Sequence, residues 1–212
     1  MTIADDRSIF DKALGKLKIM KTDTKQNILE TGAELIHLKG FNHTGLQEIL
    51  NTAGVPKGSF YNYFNSKEDF GLQIIDHFAG YFTFISRPIL EDPALSPLQK
   101  IERLLEWFME FFKSKNYAYG CPIGNLAQEM GDLSSAFRDK LRSALDGMVD
   151  SYTLLLTQAQ KEGELSQRLN VKEAAYFLVS SWHGALMHMK AIKGPEPLEN
   201  HKRFIFDYVL SP

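Results

Sequence analysis

The sequence predicts an all-α protein, with a small three-helix domain followed by a larger helical domain. Two observations carry this prediction. Apolar residues recur three and four positions apart in nearly every segment, as they do on the buried face of a helix. No segment alternates apolar and polar residues as a half-buried strand does, and no Asn-Gly pair marks a hairpin.

Capping residues and helix breakers set the predicted bounds of the first helices. Thr24 is a suitable N-cap, and Gly40 suits the C-terminal end of the same helix. Gly54-Val55-Pro56 separates two short helices, because glycine permits a left-handed turn and proline loses little at a helix start. The next helix begins near Ser66, a capping residue, and ends ahead of Pro88. These four helices are predicted at Thr24–Lys39, Leu46–Ala53, Lys57–Phe64 and Ser66–Arg87.

Proline and glycine divide the rest of the chain in the same way. Pro97 suits the first turn of a helix, and Gly163 and Gly194 end two later long helices. The remaining helices are predicted at Pro97–Lys115, Asn125–Met130, Ser134–Glu162, Val171–Lys193 and Glu199–Leu210. Residues 1–21 are expected to be an N-terminal extension, either an amphipathic helix or a basic arm, ahead of domains at residues 22–69 and 70–212.

Composition excludes several classes of protein. The 212 residues are 44% hydrophobic and 24% charged, as in ordinary globular domains. Lysines are concentrated before Asp69 and carboxylates after it, which is compatible with a DNA-facing head but is explained equally well by chance. Cys121 is the single cysteine, so neither an intramolecular disulfide nor a CxxC metal site is available. The start lacks a signal-peptide pattern and no apolar run could span a bilayer, so we expect a cytoplasmic protein with no membrane partner.

The stretch from Gly40 to Phe70, GFNHTGLQEILNTAGVPKGSFYNYFNSKEDF, has the pattern of a helix-turn-helix. A short second helix of this kind fits the major groove of DNA, where its donors contact phosphates and base edges. Thr44 is expected to cap the preceding helix beside a phosphate, and Lys67 to neutralise another phosphate. A simple helical hairpin with polar turns is the alternative. The predicted DNA-binding residues are Thr44, Lys57, Gly58, Ser59, Tyr61, Asn62, Tyr63 and Lys67.

Thr24–Phe70 resembles the DNA-binding domain of the TetR family. The matching pattern is Gly-Phe, Thr, Ile, Ala-Gly-Val, Lys-Gly-Ser-Phe-Tyr-Asn-Tyr-Phe and Ser-Lys-Glu, and Gly45-Leu46 departs from it. The resemblance implies a homodimeric repressor that binds a palindromic operator and is released by a small-molecule inducer in the C-terminal ligand-binding and dimerisation domain. A constitutive DNA-binding dimer without an effector is the alternative. No cofactor is expected, and no catalytic motif supports an enzyme.

The segment Tyr117–Glu129 resembles one found in a subgroup of the family whose members respond to electrophiles or oxidants through a cysteine. Cys121 lies beside flexible glycines and just ahead of a predicted helix N-terminus, a position that can lower the pKa of a thiol. The alternative is a small buried residue in a tight bend. The inducer is therefore expected to be an electrophile if Cys121 is a sensor, or otherwise an uncharged or aromatic molecule of modest size.

Apolar and aromatic side chains of the larger domain are predicted to line the inducer pocket. Four aromatic residues between Trp107 and Phe112 form a stripe that is either helical core or pocket wall. The histidines are not expected to bind a metal ion, since His183 and His188 lie about 140° apart around a helix. The predicted lining residues are Trp107, Phe111, Tyr119, Cys121, Leu126, Tyr152, Trp182, His183 and Met187.

The dimer interface is predicted on the last helices of the chain. The helix at residues 171–193 carries more apolar residues than one buried face needs, and a helix of that kind requires a second partner. The contacts are expected chiefly around Leu154–Ala159 and Tyr176–Met187, together with the C-terminal helix.

Overall fold

The computed structural model describes residues 23–211 of the chain. All regular structure in this range is helical and no strand occurs within it, which confirms the predicted fold class. The described residues form two compact units, and the boundary between them falls between His77 and Phe78. None of the helices in this range combines the length and the apolar character that crossing a lipid bilayer requires.

Four helices begin in the described part of the N-terminal unit, residues 23–77. They are α1 (Thr24–Lys39), α2 (Leu46–Ala53), α3 (Lys57–Phe60) and α4 (Lys67–Leu90). The cap of α1 is Asp23, whose carboxylate accepts a hydrogen bond from the Lys25 N–H at 3.4 Å, so the predicted cap at Thr24 is one residue late. Gly40 ends α1 as predicted, with φ of 86° and its N–H donated to the Ile36 carbonyl.

Aromatic rings form the core of this unit. Phe60, Phe64 and Phe70 are each at most 1% exposed, and their ring centroids lie 4.9 to 5.7 Å apart. Ile28 of α1 and Ile49 of α2 are fully buried in the same unit. Burying each such side chain contributes about 1.5–3 kcal/mol, so this cluster is a principal source of the stability of the unit.

Helix α3 is shorter than the predicted helix Lys57–Phe64, because its α-helical part ends at Phe60. The chain continues through tighter turns, in which the Asn62 N–H donates to the Ser59 carbonyl at 3.3 Å and the Tyr63 N–H to the Phe60 carbonyl at 3.0 Å. Bonds between residues three apart wind the backbone more tightly than an α-helix does. The predicted end at Phe64 is therefore wrong.

Helix α4 continues past Pro88 to Leu90, so the predicted end at Arg87 is wrong as well. Proline removes one helical N–H, and the carbonyl left without that donor belongs to Phe84, an exposed residue that water can reach. The Glu91 N–H donates to the Arg87 carbonyl at 2.9 Å and closes the final turn. A proline two residues from a solvent-exposed helix end therefore costs little.

The remaining helices lie in the C-terminal unit. They are α5 (Pro97–Ser114), α6 (Pro122–Met130), α7 (Ser135–Lys161), α8 (Val171–Ile192) and α9 (Glu196–Phe204), followed by one π-helical turn at Ile205–Val209. Ser96 and Gln99 form a capping box at the start of α5. Helix α6 begins three residues earlier than predicted, with Cys121 as its N-cap residue and Pro122 in its first turn.

One apolar core joins α5, α7, α8 and the C-terminal turn. Ile101, Leu156, Ala175, Leu178 and Ile205 are each at most 1% exposed and belong to the same buried cluster. The ammonium of Lys202 on α9 lies 2.9 Å from Glu102 and 2.6 Å from Glu106 on α5. Apolar burial thus holds these helices together, and a charge-assisted contact fixes α9 against α5.

At Gly32 of α1, the backbone lies too close to a core side chain for any residue larger than glycine. A Cβ atom at this position would overlap the buried ring of Phe70, lying 2.9 Å from its Cε1. We expect Gly32→Ala to lower the free energy of unfolding by about 1–3 kcal/mol, because the trapped ring cannot move aside. Thermal and urea unfolding measure the change.

Gly80→Ala is the matched control. Gly80 also lies in a helix, but a Cβ there would meet no atom within 4 Å. Alanine favours helix over glycine, so this variant should gain up to about 1 kcal/mol. Equal stability of the two variants would show that the ring of Phe70 does not constrain Gly32.

Candidate DNA-binding surface and effector region

We define Lys57–Tyr63 as the reading segment, which turns most of its polar groups to solvent. Its exposed members are Lys57, Gly58, Tyr61 and Asn62, and its half-buried polar members are Ser59 and Tyr63. Phe60 points into the core instead. The exposed surface thus offers an ammonium, an amide and a phenolic hydroxyl. These groups can donate to phosphate oxygens and to base edges in a DNA groove.

The turn between α2 and α3 fixes the start of the reading segment. Gly54 adopts the left-handed conformation with φ of 66°, as the sequence predicts. The Val55 N–H donates to the Leu50 carbonyl at 3.0 Å, and the Asn27 side-chain amide donates to the Ala53 carbonyl at 2.8 Å. The end of α2 is therefore bound both to its own helix and to α1.

A carboxylate fixes the other end of the reading segment. Asp69 accepts hydrogen bonds from the Asn65 N–H at 2.8 Å and from the Gln73 amide at 3.1 Å. These bonds, that of the Asn65 backbone first, lower the pKa of the Asp69 carboxyl below its usual range. Asp69 therefore stays ionised and holds the turn that follows the reading segment.

Thr44 does not have the predicted role of cap. The N-cap position of α2 is Gly45, and no side chain caps this helix. The Thr44 hydroxyl donates to the Gly40 carbonyl at 2.7 Å, and the residue is fully buried. The predicted cap is wrong because the hydroxyl closes the loop between α1 and α2, and a buried hydroxyl is not positioned to contact a phosphate.

Lys67 is bound to the same loop. Its ammonium donates to the Phe41 carbonyl at 2.8 Å and lies 4.6 Å from the centroid of the Phe41 ring. An ammonium has three N–H donors, so it can bind more than one acceptor at a time. Lys67 is a half-buried cation whose position is set by the protein.

Three of the residues predicted to line a pocket form a row of aromatic rings. Trp107 stacks on Phe111 with centroids 5.9 Å apart, and Phe111 lies 6.5 Å from Tyr119. All three are half-buried. Sites for small ligands are lined mainly by hydrophobic and aromatic side chains, so this row is a candidate wall of such a site.

Two other residues that are predicted to line the pocket, His183 and Cys121, lie close to Gly124 in the first turn of α6. A Cβ atom on Gly124 would lie 2.5 Å from Cδ2 and 3.0 Å from Nε2 of His183, and 3.7 Å from the Cβ of Cys121. The imidazole of His183 therefore occupies the space that a side chain at position 124 would need.

Cys121 is buried, which contradicts the environment expected of a reactive thiol. Burial raises the pKa of the thiol to about 11, while the N–H groups of Gly124 and Ile123 act in the opposite direction. Desolvation of the thiolate outweighs stabilisation by the helix N-terminus. Of the two interpretations that the sequence offers for Cys121, this environment favours the small buried residue in a tight bend over a thiol of lowered pKa.

The other predicted lining residues lie elsewhere in the C-terminal unit. Leu126 is buried, and Tyr152 and Trp182 pack against the apolar core described above. Burial raises the pKa of the Tyr152 hydroxyl to about 12. Met187 is 62% exposed on the outer surface of α8, so its predicted place in a cavity wall is wrong. An amphipathic pattern does not distinguish an inner face from an outer face that is also apolar.

A groove of about 600 Å³, which was not predicted from the sequence, lies between α8 and the C-terminal segment formed by α9 and the turn at Ile205–Val209. Phe177, Phe204 and Tyr208 are exposed aromatic residues on its walls. His201 lines it and is 8% exposed. The sequence does contain a signal for this groove, namely the aromatic residues Phe204 and Tyr208 four positions apart. A soluble helix rarely exposes two aromatic rings on one face without a binding partner.

His201 is held as a neutral imidazole. Burial lowers its pKa to about 4, although a hydrogen bond to the Leu178 backbone favours the charged form. Its Nε2 lies 3.0 Å from the Ser181 hydroxyl, which itself donates to the Phe177 carbonyl at 2.5 Å. The hydroxyl therefore accepts from Nε2–H, and Nδ1 is left as a buried acceptor without a hydrogen-bond partner among residues 23–211.

Comparison with known proteins identifies both units. Residues 28–74 match the family described as bacterial regulatory proteins of the tetR family, and residues 97–205 match a tetracyclin repressor-like C-terminal domain. The chain is 35% identical to the transcriptional regulator AcuR of Cereibacter sphaeroides over 84% of this chain and 81% of that protein. It is 31% identical to the HTH-type transcriptional repressor DhaR of Mycobacterium sp., over 90% of this chain and 94% of that protein.

A solved structure shows the same fold. The reduced form of E. coli NemR superposes with a TM-score of 0.81 at 28% identity, covering 88% of this chain and 96% of that one. Together with the matched families, these similarities confirm the resemblance seen in the sequence. The chain belongs to the TetR family of bacterial transcriptional regulators.

Proposed function

We propose that this protein is a homodimeric repressor that binds a palindromic operator through its reading segment and leaves it when a small molecule binds the C-terminal unit. The observation that carries the proposal is the reading segment itself, in which buried Phe60 leaves Lys57, Tyr61 and Asn62 facing solvent. The relative DhaR is a transcriptional repressor and is similar to this chain over most of its length, which supports repression over activation.

Within the reading segment, exposure suggests a division of roles. Tyr61 and Asn62 are placed to contact base edges or phosphates, while the ammonium of Lys57 is placed for a phosphate. Gly58 lets the DNA backbone approach closely, because it is exposed and carries no side chain. Ser59 and Tyr63, being half-buried, offer fewer contacts. Lys67 supplies a positioned charge for a further phosphate, whereas Thr44 shapes the loop from within.

Release requires only a population shift. A dimer must present two reading segments about one helical turn of DNA apart. An effector need only bind more tightly, by about 1–3 kcal/mol, to a dimer in which the two reading segments are spaced differently. Such an effector lowers the affinity for the operator by about 5- to 150-fold. Helix α4 begins in the N-terminal unit and ends in the C-terminal unit, so we assign to it the transmission of this change.

We assign the dimer interface to the outer surface of α8 and the C-terminal helix. Tyr176, Phe177 and Met187 on α8 and Phe204 and Tyr208 after it are all between 46% and 70% exposed in the single chain. Gly184 lies among the α8 residues, where the absence of a side chain permits close helix approach. In the predicted segment Leu154–Ala159, Leu156 and Ala159 are already buried within the chain, and Leu154 is exposed.

The contact of Lys57 with DNA predicts a specific change in salt dependence. Lys57→Gln should weaken binding to all duplexes alike and lower the slope of log affinity against log salt by about 0.9, as loss of one phosphate contact does. Fluorescence anisotropy with a duplex selected from a random library measures both quantities. Lys161→Gln, which removes a lysine from the end of α7, is the control. An unchanged slope in Lys57→Gln would exclude this contact.

The interface assignment predicts that Phe177→Glu produces a monomer. The side chain is 46% exposed in the single chain, so the variant should fold, while a buried carboxylate should weaken dimerisation by about 4 kcal/mol or more, enough to move a nanomolar dissociation constant into the micromolar range. Sedimentation at micromolar concentration measures the mass. Leu133→Glu, at a residue 68% exposed between α6 and α7, should remain dimeric. A dimeric Phe177→Glu protein, or a monomeric wild type, would refute the assignment.

The burial of Cys121 predicts an unreactive thiol. With a pKa of about 11, about one thiol in ten thousand is ionised at pH 7, so alkylation by iodoacetamide should be at least about a hundredfold slower than that of free cysteine. The same protein in urea should react at the free rate. Cys121→Ser should bind DNA and release it normally. Fast alkylation of the folded protein would instead support a covalent sensor at this position.

A further inference from the structure

The tautomer of His183 is fixed by the backbone of its own helix. Its Nδ1 lies 2.8 Å from the Val179 carbonyl oxygen. A carbonyl oxygen only accepts hydrogen bonds, so Nδ1 carries a proton, and in the neutral imidazole Nε2 then carries the lone pair. Nε2 is therefore an acceptor whose direction is set by α8.

This acceptor is buried and has no hydrogen-bond partner among residues 23–211. It lies against the first turn of α6, where a Cβ atom on Gly124 would be only 3.0 Å from it. Glycine at position 124 thus allows the ring to approach the backbone of α6. Folded proteins rarely keep a desolvated acceptor without a donor, because the lost hydrogen bond to water is not replaced.

Gly124 and Cys121, the residues placed beside His183, are uncharged, and a row of aromatic residues begins two positions before Cys121 in the chain. Cys121, whose Cβ would lie 3.7 Å from a Cβ atom on Gly124, remains a neutral thiol because its burial disfavours the thiolate. Tyr119 is two residues from Cys121, which places their Cα atoms at most about 7 Å apart. The half-buried rings of Phe111 and Trp107 continue from Tyr119. A neutral, flat molecule matches this combination better than an ion does.

The loop that carries Tyr119 is itself strained. Asn116 and Tyr117 have φ angles of 51° and 53°. These angles lie in the left-handed region of backbone conformation, which residues other than glycine seldom adopt. The Lys193 ammonium donates to the Tyr117 carbonyl at 3.3 Å, which joins this loop to the end of α8. Such conformations persist where surrounding contacts hold them, and they are common at ligand sites.

We propose that Nε2 of His183 accepts the hydrogen bond of the effector, and that the effector is a small uncharged aromatic molecule with a hydroxyl donor, of the phenol class. The proposal rests on the proposed function, in which a ligand of the C-terminal unit controls DNA binding. Because Gly124 covers Nε2, the ligand reaches it only when the first turn of α6 moves relative to α8. The same contact thus both recognises the hydroxyl and changes the packing of two helices.

The test compares phenol with anisole, its methyl ether, which has the same ring and no donor. Binding of each to the full-length protein is measured by NMR titration, and ¹⁵N-labelled histidine reports on Nε2 directly. Wild type should bind phenol about tenfold more tightly than anisole, and phenol should shift the Nε2 resonance of His183. His183→Phe, which keeps a ring and removes the acceptor, should bind both compounds equally.

His188→Phe is the matched control, because His188 is an exposed histidine on the same helix and should leave the discrimination intact. Circular dichroism melting establishes that each variant is folded. Failure of wild type to bind phenol, equal affinity for phenol and anisole, or retained discrimination in His183→Phe would each overturn the proposal. Operator binding is measured separately on the same samples. A protein that does not bind operator DNA would count against the proposed function. A protein that binds operator DNA but fails the phenol test would count only against the role of His183.

Discussion

The burial of Phe60 and Phe64 decides which way the reading segment faces. Side chains four residues apart lie on one side of a helical turn, and both rings pack against Phe70 with almost no exposure. Tyr61 and Asn62 fall between them and must point outward. Burial of the three rings is worth several kcal/mol, a large part of the net stability of a small domain. The presentation of donors to DNA is therefore a consequence of core packing.

Most of the fold could be predicted because it depends on local signals. Periodicity placed α1 and α2 at their observed bounds, and Gly40 and Gly54 adopt the conformations that made them suitable helix ends. Exceptions arose where tertiary contacts or solvent decided the outcome. Pro88 is tolerated because its helix ends two residues later, and the Thr44 hydroxyl closes its own loop rather than capping α2.

The effector region was harder to predict, since its properties depend on which surfaces are covered. The sequence places Cys121 at a helix N-terminus, where backbone N–H groups stabilise a thiolate, and those groups do act on it. Burial is the larger effect and reverses the direction of the pKa change. Met187 shows the same difficulty in a helix, because α8 is apolar on its exposed surface as well as on its buried one. The local sequence pattern identifies the candidate residues, whereas their exposure and their pKa values depend on how the helices pack.

Two imidazoles each have a buried acceptor nitrogen without a hydrogen-bond partner among residues 23–211: Nδ1 of His201, beside the groove assigned to the dimer, and Nε2 of His183, beside α6. Each lies where the proposed function requires a second molecule. Restoring one buried hydrogen bond is worth about 1–3 kcal/mol. The coupling that separates a bound regulator from a released one is of the same size. A single donor delivered to His183 therefore supplies enough free energy to move the equilibrium between the two states.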